Sequence, residues 1–325
     1  MKKNLTKKLM LSVLTLAFAV VSLGASTFAW FTMSGTATIG TFQGTVKGGQ
    51  GLDVGYSQVG GPVTWKTGDI TAAEIQNLID TKNTAGWKFD AVTPVDTFDE
   101  ATNVYDMNTV SSSASGNVLD SGAGKYVQFS LHFKLSDTSV TGEYELYMNK
   151  FAFENITPDW NPSGTNWVAD TVYKLNSGST TIGGTYLYDV RSASRIAFFG
   201  SSTDAADTTV LSEVYQFEGD GEYSQGDAYK DGAATGALEL YNAKQTNDLV
   251  YTASYAQPTA EIENYENAWT DGTLSGTNIL VGTLSAGDTI TVDIVLWVEG
   301  WDAECLNALF SQQISLDLSF CIVEK

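Results

Sequence analysis

Apolar and polar residues alternate along three stretches of the chain, Tyr126–Leu135, Thr289–Glu299 and Gln313–Ile322. A two-residue period of this kind predicts β-strands with one apolar and one polar face. Such strands are typical of antiparallel sheets that bury one face and leave the other in water. Weaker patterns between Gly-rich turns predict further strands at Thr36–Phe42, Gly51–Ser57, Lys88–Val95, Glu143–Phe153, Tyr186–Val190, Ser194–Phe199 and Leu249–Tyr255.

Helical patterns are few and short. The segment Thr71–Glu74 fits a capping box, and Ile75, Leu78 and Ile79 follow it at helical spacing. A second short helix is predicted at Glu304–Phe310. Many strands with one or two short helices predict an all-β fold, an antiparallel β-sandwich of jelly-roll type.

Two segments interrupt this pattern, residues 154–185 and 200–248. Both are polar and rich in Gly, Ser, Asp and Asn, with weak periodicity. We interpret them as long polar loop insertions in one sandwich domain spanning residues 30–325, and not as a second domain.

The first 29 residues have the order of a secretory signal peptide. Met1–Lys8 is basic, Leu9–Gly24 is an apolar run of sixteen residues, and small residues follow. A transmembrane helix needs about 20 apolar residues, so an uncleaved N-terminal anchor is the less favoured alternative. We predict cleavage between Ala29 and Trp30, with cleavage after Ala25 as the second choice. Processing gives a secreted, extracellular protein with no membrane segment.

The charge balance excludes several classes of function. The net charge is −21, and processing would remove four lysines and no acid, which leaves −25. Such a surface repels nucleic-acid phosphates. The single histidine, His132, excludes every two-histidine metal site. It lies on the polar face of a predicted strand, where we expect an exposed residue, with membership of a catalytic triad as the alternative.

No nucleophile motif of the GxSxG type and no phosphate-binding loop occurs in the sequence, so we expect no enzymatic activity. An enzyme acting on polysaccharide would require a carboxylate pair about 5–10 Å apart in a cleft. Calcium is the one cofactor that the acids suggest, because Glu218, Asp220 and Glu222 alternate with glycines. The favoured interpretation of that segment is a solvated acidic loop.

The two arginines of the chain are candidates for ion pairs with carboxylates. The only arginines, Arg191 and Arg195, would share a face if that segment were extended. They would then pair with carboxylates, either as an ion pair within the subunit or as a clamp between subunits.

Cys305 and Cys321 could form a disulfide outside the cell, worth roughly 3 kcal/mol, and two free thiols are the alternative.

A group of aromatic residues falls in polar surroundings and could present a carbohydrate-binding surface. Core or interface packing is the alternative role for such residues. The group consists of Trp160, Trp167, Tyr173, Tyr186 and Tyr188.

Several separate stretches together carry a family resemblance. They are the signal junction Ser26–Thr32, Thr36–Gly40 leading into Gly51–Val54, Val190-Arg191 with Ile196–Phe198, Leu284–Thr289, Leu296–Cys305 and the ending Ile314–Phe320. In these stretches the chain resembles the secreted TasA/camelysin-like proteins of Gram-positive bacteria, whose signal peptides are processed by a SipW-type peptidase. The resemblance implies a jelly-roll sandwich that assembles into extracellular fibres of a biofilm matrix.

The resemblance also implies polymerisation by donation of the mature N-terminal segment as a strand to the next subunit. The donor residues would be Trp30, Phe31, Met33, Ala37 and Ile39. This segment is apolar and has no charge before Lys47, so it must pair with a sheet edge, its own or a neighbour's. We expect a structural fibre subunit whose partners are copies of itself, with other matrix proteins or polysaccharide as further partners. The alternative is a secreted carbohydrate-binding or adhesive surface module.

Overall fold

The computed structural model describes residues 43–48, 51–66, 69–82, 91–94, 107–113, 116–121, 125–137, 139, 141–156, 167–168, 174–175, 178–179, 183–186, 189–204, 207, 209–217, 260–270, 272–300 and 312–325. Within these residues the chain forms strands, one α-helix, α1 (Ala72–Lys82), and one 3-10 helix (Val190–Ala193). The strands in chain order are β1 Gln43–Gly48, β2 Leu52–Ser57, β3 Thr64–Lys66, β4 Ala91–Pro94, β5 Met107–Ser113, β6 Gly116–Ser121, β7 Val127–Leu135, β8 Tyr144–Asn155, β9 Trp167–Val168, β10 Lys174–Leu175, β11 Gly178–Ser179, β12 Thr185–Tyr186, β13 Ser194–Ser202, β14 Ser212–Phe217, β15 Ala260–Ile262, β16 Tyr265–Glu266, β17 Trp269–Thr270, β18 Thr273–Leu274, β19 Ile279–Leu284, β20 Ile290–Glu299 and β21 Ile314–Glu324.

Sheet A contains the two ends of the described chain. Its strands follow the order β1-β21-β8, and β16 and β19 both pair with β8. The pairing of β21 with β8 is antiparallel and extends from Ile314 opposite Asn155 to Glu324 opposite Tyr144. The pairing of β1 with β21 is parallel, whereas the remaining described pairs of this sheet are antiparallel.

Sheet B is the larger sheet. Its main strands follow the order β15-β14-β13-β20-β7-β2-β3. The hairpin β5-β6 is attached through β4, which pairs in parallel with Val298 and Glu299 at the end of β20. This attachment lies beyond Leu296, the last residue of β20 that pairs with β7.

The two sheets pack face to face over one apolar core. The Phe133 and Phe320 rings, one from each sheet, lie 4.5 Å apart between centroids, and those of Phe153 and Phe217 lie 5.7 Å apart. Helix α1 adds buried isoleucines to the same core. The prediction of an all-β fold built mainly from antiparallel strands is therefore confirmed.

Local sequence signals agree well with the described elements. The predicted capping box starts α1, with the Thr71 amide 2.9 Å from a Glu74 carboxylate oxygen and the Glu74 amide 3.4 Å from Thr71 Oγ1. The predicted strands corresponding to β2, β7, β8, β13, β20 and β21 are confirmed, and β4 lies within the one predicted at Lys88–Val95. Three predictions lie outside the described residues: the strands Thr36–Phe42 and Leu249–Tyr255 and the helix Glu304–Phe310.

The strand predicted at Tyr186–Val190 is wrong at its C-terminal end. Strand β12 ends at Tyr186, and Val190 begins the 3-10 helix. The Asp189 side chain accepts a hydrogen bond from the Arg191 amide and so stabilises a turn in place of extended backbone. The described part of the insertion predicted near 154–185 includes the two-residue strands β9 to β11 and the start of β12. The insertion predicted near 200–248 contains β14, which pairs with β13 in sheet B and has buried side chains, so residues 212–217 belong to the sandwich and not to a polar loop.

The outer face of sheet B also differs from expectation. Gln128, Ser130 and His132 lie on the predicted water-facing side of β7, yet all three are buried. A second apolar cluster covers part of this face, because Val92 and Met107 from β4 and β5 pack against Trp297 and its neighbours. Sheet B is therefore buried on both faces, at least along its central strands.

Candidate functional site

The edge of sheet A at β1 is the described part of the fold that directly follows the predicted donor segment. Strand β1 runs parallel to β21, from Gln43 opposite Ser315 to Gly48 opposite Phe320. Among the described strands, β21 is the one partner of β1, so β1 forms an edge of the sheet. The chain that precedes Gln43 therefore joins sheet A at the Ser315 end of this edge.

The backbone at Gly48, the last residue of β1, lies close to β2 of the other sheet. Gly48 ends β1, and β2 begins at Leu52 in sheet B. A Cβ atom on Gly48 would lie 2.6 Å from Val54 Cγ2 and 3.3 Å from the Leu52 carbonyl oxygen, closer than packed atoms allow. Only glycine lets the backbone of β1 approach β2 this closely.

A hydrogen-bond network holds the end of the sandwich where β1 begins. Gln312 Oε1 accepts hydrogen bonds from Asn155 Nδ2 at 2.6 Å and from the Val190 amide at 2.8 Å. Asn155 Nδ2 also donates to Asp189 Oδ1 at 3.2 Å. The network joins the start of β21, the end of β8 and the 3-10 helix, and so fixes the strand against which β1 pairs.

Arg191 belongs to this network through an ion pair within the subunit. Its Nη2 atom lies 2.6 Å from Asp189 Oδ2, and its Nη1 atom donates to the Phe153 carbonyl at 3.3 Å. The guanidinium also lies 4.8 Å from the centre of the Phe217 ring. Arg191 thus has partners within its own chain that fix the 3-10 helix against β8.

The premise that the two arginines share one face of a strand is wrong. Arg191 lies in the 3-10 helix, whereas Arg195 lies in β13 and is buried there. Arg195 Nη1 donates to the Ser194 carbonyl at 3.0 Å. A clamp between subunits that uses both arginines together does not follow from this arrangement.

His132 is buried, and the expectation of an exposed residue is wrong. Only 7% of its surface is exposed. Its Nε2 atom lies 2.8 Å from Ser57 Oγ, and its Nδ1 atom lies 2.9 Å from Thr291 Oγ1. Because β2 and β20 flank β7, their hydroxyl groups replace water around the imidazole, and burial lowers its pKa from the ordinary value.

The contacts of His132 are those of a buried hydrogen-bond chain. Ser57 Oγ lies 2.8 Å from both the Gln58 carbonyl oxygen and His132 Nε2, and the imidazole tautomer decides which group donates in each contact with the ring. A Ser–His nucleophile pair usually has a carboxylate on the second imidazole nitrogen, whereas Nδ1 of His132 contacts the Thr291 hydroxyl. We assign the cluster a structural role.

Several predicted site residues lie outside the described part of the chain. They are the cleavage junction Ala29 and Trp30, the donor residues Phe31, Met33, Ala37 and Ile39, the calcium candidates Glu218, Asp220 and Glu222, the cysteine Cys305 and the aromatics Trp160, Tyr173 and Tyr188. Trp167 and Tyr186 occupy paired positions of β9 and β12. The described residues contain no group of three or more His, Cys, Asp or Glu placed to hold a metal ion.

Cys321 lies in β21 and is buried. Burial raises the pKa of its thiol to about 11, so the thiol is protonated and unreactive at neutral pH. Because Cys305 is not among the described residues, the disulfide between the two stays a prediction.

One surface residue was missed by sequence reasoning. Trp65 is exposed on β3 and contacts both His132 and Lys134. The available signal was an isolated tryptophan following the turn-rich segment Gly60-Gly61-Pro62, in a strand too short to show a clear period.

Comparisons of the chain with protein-family models, with curated proteins and with solved structures found no match. Across the described residues, no helix has the length and apolar character needed to cross a membrane. The case for function therefore depends on the chain's own residues and geometry.

Proposed function

We propose that the protein is a secreted structural subunit of an extracellular fibre or biofilm matrix, with a jelly-roll sandwich that assembles by donating its N-terminal strand to the next copy. The observation that carries this proposal is the position of β1. This edge strand directly follows the apolar segment 30–42 and pairs on one side, in parallel, with the C-terminal strand.

The parallel pairing shows that β1 joins the sheet without a partner strand nearby in sequence, as a donated strand also would. Two parallel strands cannot be joined by a short hairpin, so β1 joins β21 across nearly the whole length of the chain. The segment ahead of β1 is joined to this edge of the sheet at Gln43, and we propose that it pairs with a second subunit.

The length of the segment is suited to donation. Residues 30–42 comprise thirteen residues, and an extended chain rises roughly 3.3 Å per residue, which gives about 43 Å. Strand β21 comprises eleven residues, or about 36 Å on the same basis. The segment is therefore long enough to pair along a whole strand of a neighbouring sheet.

Net charge gives a condition for assembly. Processing would leave each subunit with a net charge of −25, so subunits would repel one another at low ionic strength. Salt screens this repulsion, with a Debye length of about 10 Å at 0.1 M. We expect fibres to form more readily as salt is added, and calcium to have a similar effect if the acidic loops bind it.

Deletion of residues 30–40 from the mature protein tests the proposal. The deletion should leave a soluble monomer with an intact sandwich, because the described core begins at Leu52 in β2 and does not include the deleted residues. Size-exclusion chromatography and negative-stain electron microscopy would measure the loss of fibres, and a free peptide of residues 30–42 should bind the deleted protein.

The matched control replaces residues 30–40 by a scrambled sequence of the same composition, which should also fail to form ordered fibres. Filaments of unchanged morphology from the deletion variant would show that this segment is not the donor. A mature protein that stays monomeric at high concentration across salt and calcium would contradict the fibre function itself.

A further inference from the structure

Two large apolar residues in the described part of the chain are exposed. They are Val63 and Trp65, with exposed fractions of 37% and 36%. Trp65 lies in β3, and Val63 immediately precedes that strand. Strand β3 pairs with β2 at the edge of sheet B, in the opposite sheet from β1. Exposed apolar groups that cluster in this way commonly mark binding surfaces.

The Trp65 ring is held in place over a glycine. Trp65 lies opposite Gly55 of β2, and Gly55 lies opposite His132 of β7. A Cβ atom on Gly55 would lie 3.0 Å from Trp65 Cε3 and 2.7 Å from Val63 Cγ1. The missing side chain therefore lets the indole lie across β2.

His132 supports the ring from the adjacent strand. The imidazole and indole centroids lie 6.3 Å apart, with an angle of 60° between the planes, which is an edge-to-face contact. Since the imidazole is itself fixed by Ser57 and Thr291, the indole rests on a rigid part of the sheet.

Polar groups contact the exposed indole. Lys134 Nζ lies over the ring, 4.3 Å from its centre, and 3.8 Å from Asp53 Oδ2. Ser136 Oγ donates to Asp53 Oδ1 at 2.7 Å. An aromatic surface, an ammonium donor and a carboxylate acceptor therefore occupy one small area, and both charged side chains are about one third exposed.

We propose that Trp65, Lys134 and Asp53 form a binding site for an uncharged pyranose unit of a polysaccharide. The apolar C–H face of a pyranose packs on an indole ring, while its hydroxyl groups accept hydrogen bonds from an ammonium and donate them to a carboxylate. Because Lys134 Nζ lies over the indole, a sugar stacked on that face would displace the ammonium from the ring and accept its hydrogen bond at a hydroxyl group. The amphipathic character of the site matches that of a sugar ring.

The charges favour a neutral sugar over a uronate. Asp53 offsets the charge of Lys134, and the whole chain has a net charge of −21, which repels anionic polymers. The site does not use the N-terminal segment, so its test is independent of fibre assembly.

Affinity electrophoresis of the full mature protein tests this site. Native gels would contain a soluble β-glucan, a galactomannan, a xylan or, for comparison, polygalacturonate. We expect at least one of the three neutral polysaccharides to retard the protein, and polygalacturonate to leave its mobility unchanged. Trp65→Ala should weaken the retardation about tenfold, whereas Trp65→Phe should retain part of it.

A matched pair of lysine variants separates a local effect from a general charge effect. Lys134→Ala should weaken the retardation, whereas Lys150→Ala should not, because Lys150 pairs with Glu266 at 3.1 Å on the other sheet. Circular dichroism and thermal melting would establish that each variant is folded. If Trp65→Ala does not fold, Lys134→Ala and Asp53→Asn decide the question.

Two results would overturn the proposal. One is the absence of retardation by all three neutral polysaccharides, or equal retardation of wild type and the site variants. The other is a change of sedimentation coefficient in Trp65→Ala without sugar, with no change in retardation, which would make this surface a contact between copies. Failure of fibre formation alone would leave the sugar site standing.

Discussion

The outer faces of the two sheets differ, although their strands look alike in sequence. On β21 of sheet A, the outward residues Ser315, Asp317 and Ser319 are half-buried. On β7 of sheet B, the corresponding polar residues, including Ser130 and His132, are buried. Both strands alternate apolar and polar residues with the same period. The comparison shows that the alternating pattern predicts which residues share one face of a strand, but not whether that face is exposed to water.

The buried polar face of sheet B is stabilised by partners in neighbouring strands. Ser130 Oγ donates to Asp293 of β20, and His132 contacts hydroxyl groups on both sides. A buried polar group without such a partner would destabilise the fold. On sheet A, the ion pair between Lys150 and Glu266 is accessible to water, because the Glu266 side chain is 71% exposed.

The largest expected effect lies in the second apolar cluster on sheet B. Trp297→Ala should reduce the free energy of unfolding by about 3–5 kcal/mol, because the indole is fully buried and leaves a cavity. Urea denaturation of the mature protein would measure this change. The control on sheet A, Ser319→Ala, should stay within about 0.5 kcal/mol of wild type. Similar changes in the two variants would remove the distinction between the faces.

An intermediate effect is expected from the titration of His132. Its folded-state pKa lies below the usual value of about 6.5, so the unfolded chain takes up a proton first as pH falls. The stability contributed by neutral His132 is present above the unfolded-state pKa and is lost as pH falls through the folded-state pKa.

The variant His132→Gln removes this titration and keeps a donor and an acceptor. Between about pH 8 and about pH 5, the free energy of unfolding should fall further for wild type than for the variant. Urea denaturation at a series of pH values measures the difference, in which the shared carboxylate effects cancel. An equal fall in both proteins would show that the imidazole is not desolvated by folding.

The smallest effect is expected on the outer face of sheet A. Lys150→Ala breaks the ion pair with Glu266, which is worth about 0–1 kcal/mol at an exposed position. Thermal melting at low and high salt would show a small loss that shrinks as salt is added. A loss above about 2 kcal/mol would mean that this face is as strongly coupled as that of sheet B.

Features encoded in a few neighbouring residues could be predicted from the sequence. The capping box at Thr71 and Glu74 is complete within four positions, and the alternation in β7, β20 and β21 is likewise local. These signals depend on short-range geometry and are visible without knowledge of the fold.

Features that depend on distant partners could not be predicted. His132 contacts Ser57 and Thr291, which are 75 and 159 positions away in the chain. The 3-10 helix at Val190 is held by Gln312, 122 positions away, and the place of Trp65 depends on its register with Gly55. Register between strands is set by the whole sheet and not by the segment itself.

The parallel pairing of β1 with β21 also has a mechanical consequence. The chain reaches β1 at the Ser315 end of the pair and leaves β21 at the opposite end, near Lys325. Tension between the N-terminal segment and the C-terminus pulls the two strands past each other along their length. The hydrogen bonds of this six-residue pair are then loaded together in shear, and do not open one after another as in an unzipped hairpin. In a fibre of the proposed kind, force transmitted through the N-terminal strands would load the β1–β21 pair in shear, the direction in which its hydrogen bonds resist separation best.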